Sequence, residues 1–147
     1  MGTWNTDNTA VETSYIGQLF IGSADDSGNP TYGTIACQSR PSALKFHYKY
    51  VSKSDSKFSA ELTLNGNEGV LASGSVNGGA ASAWTEMTIP LTYTSEKIRP
   101  TDISLKFIST TTDVGVNTNT TIEYNGGSYT GHFGPQLRID NLRLIYE

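Results

Sequence analysis

From Ala43 to Tyr50 apolar and polar residues alternate: Leu44, Phe46, Tyr48 and Tyr50 interleave with Lys45, His47 and Lys49. An extended strand places residues i, i+2 and i+4 on one side, so this segment has one dry face and one wet face. The same period recurs at Phe58, Ala60, Leu62 and Leu64, interleaved with Ser59, Glu61 and Thr63. It recurs again at Thr85, Met87, Ile89 and Leu91 against Trp84, Glu86, Thr88 and Pro90, and at Ile103, Leu105 and Phe107 against Asp102, Ser104 and Lys106. Strands with one apolar face must pair that face with another sheet. The pattern therefore predicts two antiparallel sheets packed face to face.

Shorter candidate strands are Thr3–Asn5, Tyr15–Ile21, Tyr32–Cys37, Gly69–Ser73, Thr121–Tyr124 and Leu137–Tyr146. Together they make about ten short strands at sandwich spacing. Turn signals separate them at Asp25-Asp26-Ser27-Gly28-Asn29-Pro30, Asn65-Gly66-Asn67, Asn77-Gly78-Gly79 and Asn125-Gly126-Gly127. Pro90 cannot donate to a ladder, which places its strand at an edge or the residue in a bulge. Ser109–Pro135 is long for a connection and is expected to hold a hairpin, Thr121–Tyr124 with Ser128–Thr130. Composition agrees with the all-β reading: 19 Thr, 16 Ser, 10 Asn and 15 Gly leave few strong helix formers. At 147 residues the chain is expected to be one domain.

Charge and motif content exclude several functions. The formal charge is −4 and no basic run occurs, so nucleic acid is not an expected partner. No apolar run approaches the ~20 residues of a membrane helix, so no membrane insertion is expected. The single Cys37 excludes an intrachain disulfide and reads as an inert buried thiol. No signal peptide opens the chain at Met1-Gly2-Thr3-Trp4, which fits either a cytosolic protein or a domain of a longer exported one. Nucleophile-elbow, zinc-protease and phosphate-loop motifs are all missing. A glycosidase needs two carboxylates flanking the scissile bond, but fourteen acids always offer some pair, and Glu61 and Glu86 read as solvated. The expectation is a chain that is not an enzyme.

Three segments together resemble one family. Arg40-Pro41-Ser42-Ala43-Leu44-Lys45-Phe46-His47-Tyr48-Lys49-Tyr50 is similar to its proline turn and Lys/Tyr-rich strand. Ile89-Pro90-Leu91-Thr92-Tyr93 with Arg99-Pro100-Thr101-Asp102-Ile103 resembles its middle, and Leu137–Tyr146 its closing strand. The family is the "putative carbohydrate metabolism domain", found at the C-termini of exported Bacteroidetes proteins. The resemblance implies a jelly-roll β-sandwich similar to carbohydrate-binding modules. It also implies an extracellular or cell-surface location, an outer-membrane-anchored parent and an upstream domain in the same polypeptide. The chain departs from the family in its longer stretch before the last strand, where Gly134-Pro135-Gln136 replaces a usual Gly-Ser pair.

Carbohydrate recognition needs flat aromatic rings for the C–H face of a sugar and polar groups for its hydroxyls. Aromatics outside the core register are Trp4, Tyr32, Trp84, Tyr124, Tyr129 and Phe133. The expected ligand contacts are Trp84, Glu86, Tyr32, Tyr129 and His132. Trp84 is the most informative, since it shares the polar face of its strand with Glu86 and Thr88 while Asn77–Ala83 reads as a loop able to close over it. The competing reading puts Trp84 at a strand end, covering the sandwich edge. His132 lies in a Gly-rich loop, and His47 reads as solvated between two lysines.

The last strand changes phase at Asp140-Asn141. Leu137 and Ile139 are odd-numbered, whereas Leu142, Leu144 and Tyr146 are even, which predicts a bulge that lets both halves face the core. Jelly-roll carbohydrate-binding modules often carry an Asp in a similar closing motif as a ligand to structural calcium. By that resemblance Asp140 is a candidate calcium ligand, with Asp7 and Glu12 as co-ligands. The alternative pairs Asp140 with Arg138 or with backbone N–H groups. Asp25–Asn29 resembles a calcium loop only superficially and reads as a turn. The functional expectation is a non-catalytic carbohydrate-binding or glycan-associated module, with glycan or polysaccharide as its partner. A structural or adhesive sandwich is the alternative, and a glycoside hydrolase the less favoured third.

Overall fold

The alternating segments are strands, and every pairing between them is antiparallel. The computed structural model describes residues 17–111, 117–124 and 127–146, with the side chains of 117–133 outside the description. In chain order the strands are β1 (Gln18–Phe20), β2 (Gly22–Ala24), β3 (Pro30–Tyr32), β4 (Ile35–Ala36), β5 (Ala43–Val51), β6 (Phe58–Gly66) and β7 (Gly69–Gly78). There follow β8 (Ala81–Pro90), β9 (Thr92–Tyr93), β10 (Asp102–Ile108), β11 (Asn117–Tyr124), β12 (Gly127–Phe133) and β13 (Gln136–Ile145). Thirteen described strands exceed the expected ten because β2, β3, β4 and β9 are pieces of two or three residues.

Two sheets form the sandwich. The larger runs β1-β10-β6-β7-β9, with β4 also on β10; the smaller runs β13-β5-β8. Of the seven main strands, only β6 and β7 are consecutive neighbours in one sheet, and every other connection crosses between layers. That order is a jelly roll. The hairpin expected between Ser109 and Pro135 is present as β11 and β12, paired from Asn117↔Phe133 to Tyr124↔Gly127.

The core is an aromatic interlock between the layers. Phe46, Tyr48 and Tyr50 of β5 meet Phe58 of β6 and Phe107 of β10. The Phe46 ring stands edge-on to Phe107 at 5.1 Å between centroids, and Tyr48 packs on Phe58 at 4.8 Å. Such edge contacts add about 0.5–1.5 kcal/mol each beyond area burial. Tyr50 brings a hydroxyl inside, and Ser56 Oγ (2.9 Å) and the Ser109 carbonyl (2.8 Å) satisfy it. Burial pushes the Tyr50 pKa up, so it stays a neutral phenol.

Pro90 occupies the edge that its missing N–H demands: β8 pairs only with β5, and the chain leaves at Leu91 to join the other sheet as β9. At this corner Gly74 of β7 passes under Pro90, where an added Cβ would stand 2.1 Å from the Pro90 carbonyl oxygen. Asn77–Ala83 is not a loop. Asn77 and Gly78 pair with Ser59 and Phe58, β8 begins at Ala81, and only Gly79 and Ala80 connect them. Gly78 is required because a side chain there would meet the Phe58 ring at 2.1 Å.

Cys37 is half-buried rather than buried, with its thiol 3.4 Å from Ser39 Oγ. Among the described residues no helix is long and apolar enough to cross a membrane. The interlock makes a direct prediction: Leu62, 1% exposed in the middle of β6, should cost about 2–5 kcal/mol when replaced by Ala. Chemical denaturation measures this, and a change within about 0.5 kcal/mol would mean the register is wrong.

Candidate functional site

With Leu44, Phe46, Tyr48 and Tyr50 committed to the core, β5 turns Lys45, His47 and Lys49 outward. Its two neighbours do the same with their own polar residues. Register places Glu86 of β8 opposite His47 on one side and Asp140 of β13 opposite His47 on the other. Arg138 lies opposite Lys49, and Arg143 opposite Lys45. Trp84 stands two residues before Glu86 on the same face of β8. The outer surface of the small sheet thus carries one aromatic ring among charged and hydrogen-bonding side chains, with Val51 exposed at the end of β5.

Trp84 is 47% exposed and sits inside β8, not at its end. The Lys49 ammonium lies 5.2 Å from its ring centroid. A cation–π contact at an exposed site contributes only about 0.5–1 kcal/mol. A stacked base on an aromatic side chain contributes about 1–3 kcal/mol. A ligand ring stacking at the latter scale can therefore displace the lysine.

Glu86 is held by two cations. Lys45 Nζ donates to Oε1 at 3.2 Å, and Arg143 Nη2 donates to Oε2. The hydrogen bonds from Lys45 and then Arg143 hold its carboxyl below the ordinary glutamate range. It is therefore a fixed anion and hydrogen-bond acceptor. A general acid needs the opposite shift.

The expected bulge is present. Asp140 faces His47 and Arg143 faces Lys45, leaving Asn141 and Leu142 opposite Phe46 alone. Asn141 takes a φ of 53°, a left-handed conformation that Asn tolerates better than most residues. The phase change brings Leu137, Ile139 and Leu144 against the core. It does not bury the other two even-numbered residues: Leu142 sits in the bulge itself, and Tyr146, past the end of β13, lies outside with its hydroxyl 2.9 Å from Ser39 Oγ.

Asp140 Oδ1 accepts the Asn141 backbone N–H at 2.7 Å, the backbone partner that the alternative to metal required. Asn141 Nδ2 in turn lies 3.3 Å from His47 Nδ1. Among the described residues no three His, Cys, Asp or Glu side chains gather to hold a metal. Asp7 and Glu12 lie outside the described residues.

The other sequence candidates do not join this face. Tyr32 belongs with the larger sheet: its ring packs edge-on to Phe20 at 5.1 Å, its hydroxyl donates to Gln18 Oε1 at 2.6 Å, and Lys106 lies 4.9 Å above it. Lys106 and Glu61, 3.8 Å apart, mark the outer surface of that sheet, opposite the Trp84 surface. Glu61 and Glu86 are thus on opposite sides of the sandwich and form no catalytic pair. Tyr129 and His132 are on β12, and their side chains lie outside the described residues; His132 is in a strand, not a loop. The Asp25 carboxylate caps its own turn, accepting the Ser27 and Asn29 N–H groups at 2.9 and 2.8 Å. Sequence reasoning missed His47, Lys49 and Arg138, whose common position depends on nonlocal strand pairing.

No protein-family model matches the chain, and no curated protein matches it. Among solved structures the chain is similar to a "putative glycoside hydrolase" of Bacteroides thetaiotaomicron VPI-5482, with a TM-score of 0.59 and 20% identity. That match covers 90% of this chain and 47% of the other. It is also similar to a "putative glycoside hydrolase" of Bacteroides vulgatus ATCC 8482, with a TM-score of 0.60 and 19% identity over 88% of this chain and 64% of that one. At these identities the likeness is one of fold, and the chain spans about half to two thirds of each neighbour's length.

If hydrogen bonds alone hold Asp140, a chelator will leave the melting temperature unchanged in metal-stripped buffer. A bound calcium would stabilise the native state by mass action. A fall in melting temperature on chelation, absent in Asp140→Asn, would instead make this carboxylate a metal ligand.

Proposed function

We propose that this domain is a non-catalytic glycan-binding module whose ligand face is the outer surface of the sheet β13-β5-β8. The observation that carries the reading is Trp84, a large ring 47% exposed in mid-strand beside charged side chains. Exposed aromatic area on a polar surface marks a binding site more often than an isolated exposed aliphatic does. Glu86, His47 and Asn141 supply acceptors and donors on the same sheet for sugar hydroxyls. The fold likeness to two Bacteroides proteins called putative glycoside hydrolases supports a carbohydrate-related role.

Binding is favoured over catalysis by the state of Glu86, the carboxylate nearest Trp84 on β8. Glu86 and Asp140 lie on neighbours of the same strand, two inter-strand spacings apart, or about 9–10 Å between Cα atoms. A glycosidase pair also needs one carboxyl with a raised pKa. Glu86 is lowered by its cations. We place the module outside the cell or at its surface, carried with an upstream domain in a longer polypeptide, in line with the resemblance of Arg40–Tyr50 and Leu137–Tyr146 to an exported family.

Replacing Trp84 by Ala is the direct test. Glycan affinity measured by calorimetry should fall by about 1–3 kcal/mol, on the scale of aromatic stacking, while the melting temperature changes little. A stability loss of about 3–5 kcal/mol would mark a core tryptophan. Unchanged affinity would remove the ring from the binding face.

A further inference from the structure

The sequence has no basic run, yet the small sheet gathers four of the chain's ten Lys and Arg on one outer face: Lys45, Lys49, Arg138 and Arg143. Two of these are accounted for, since Glu86 pairs with both Lys45 and Arg143. Lys49 and Arg138 are different. They stand directly opposite each other on adjacent antiparallel strands, and neither makes an ion pair among the described residues. Like charges in that position destabilise a sheet. Lys49 is also the residue whose ammonium lies over Trp84. Lys49 therefore borders the exposed ring with Arg138 opposite it on the far side of β5, and an anion placed between the two cations would offset their like charge.

From this juxtaposition we infer that the ligand of the face is an acidic glycan, with a carboxylate or sulfate seated between Lys49 and Arg138 while its sugar ring stacks on Trp84. This deepens the glycan-binding reading and rests on it. Arg138 offers a planar fork of donors suited to either oxyanion, and Lys49 a mobile point charge. Charge complementarity also separates this ligand from nucleic acid. Glu86 and Asp140 flank His47 on the same face and interrupt the positive surface that a phosphate backbone would follow. A glycan bearing one anion per sugar or disaccharide, with hydroxyls between, matches a face whose cations without an ion pair stand at one end and whose other two are held by Glu86.

The experiment compares polygalacturonate oligomers, chondroitin sulfate oligomers, unsulfated chondroitin oligomers, a neutral β-glucan oligomer and oligo-dT against four proteins. These are the parent chain, Trp84→Ala, Lys49→Gln with Arg138→Gln, and Lys45→Gln as a charge control on the same face. The acidic glycans should bind the parent most tightly, and more weakly as salt rises. The double substitution should lower that affinity by about tenfold or more, the scale of a lost charge-assisted contact, and Lys45→Gln by much less. Its melting temperature should stay equal or rise, because the like-charge repulsion is gone. Chondroitin sulfate carries a glucuronate carboxylate beside its sulfate, so the unsulfated chondroitin oligomers tell carboxylate from sulfate.

Neutral glycan bound as tightly as the acidic ones, with dependence on Trp84 but not on Lys49 and Arg138, would overturn this inference and leave the glycan-binding face standing. Oligo-dT bound as tightly as the acidic glycans would also overturn it, in favour of a general polyanion surface. Binding of no oligomer at all would remove both readings together.

Discussion

The edge-on packing of Phe46 against Phe107 and Phe58 determines most of what this domain presents to solvent. Phe46 lies in the middle of β5, and β5 is the middle strand of the small sheet. Burying its ring fixes the register of a strand whose side chains alternate strictly. A slip of one residue would send Lys45, His47 and Lys49 into the core, which no unpaired charge tolerates. The same contact that closes the sandwich therefore holds three polar side chains outward. β8 and β13, paired on either side, add Trp84, Glu86, Arg138, Asp140 and Arg143 to that surface. Core and candidate site are two sides of one strand.

Local periodicity made much of this legible. The faces of β5, β6, β8 and β10 follow from alternation alone, the edge position of Pro90 from its missing donor, and the bulge at Asp140-Asn141 from a change of phase. Trp84 and Glu86 sharing a polar face follow from being two residues apart. What could not be read locally depends on which strands meet. Nothing near Lys49 in sequence shows that Arg138 will face it across a ladder, or that Tyr32 will pack on Phe20 and Gln18 at the opposite sheet. Asn77–Ala83 looked like a loop because Gly and Ala are poor strand residues on their own. Tertiary packing overrides that, since only Gly fits beneath the Phe58 ring at position 78.

The residues that most strongly resemble a known family serve the scaffold. The Arg40 guanidinium stacks 4.1 Å over the Tyr93 ring, donates to the Ser95 carbonyl at 2.8 Å and also bonds the Ile98 carbonyl. Tyr93 in turn donates to the Pro41 carbonyl at 2.7 Å, and Pro41 and Pro100 are fully buried beside them. This cluster ties the turn before β5 to the segment between β9 and β10, satisfying carbonyls that have no ladder partner. A resemblance carried by such residues identifies a way of closing one end of a jelly roll. The same segments also carry Lys45, His47, Lys49, Arg138, Asp140 and Arg143 of the outer face of the small sheet, whereas Trp84 and Glu86 lie outside them.

The central claim, that this outer face is where glycan binds, is tested most directly by amide and indole chemical-shift mapping during titration with an acidic oligosaccharide. The account predicts that the Trp84 indole and the amides of Lys45–Lys49, Trp84–Thr88 and Arg138–Arg143 shift together, while Phe20, Tyr32 and Glu61 on the opposite sheet stay fixed. Shifts confined to the surface around Phe20, Tyr32 and Lys106, with the Trp84 indole unmoved, would contradict it.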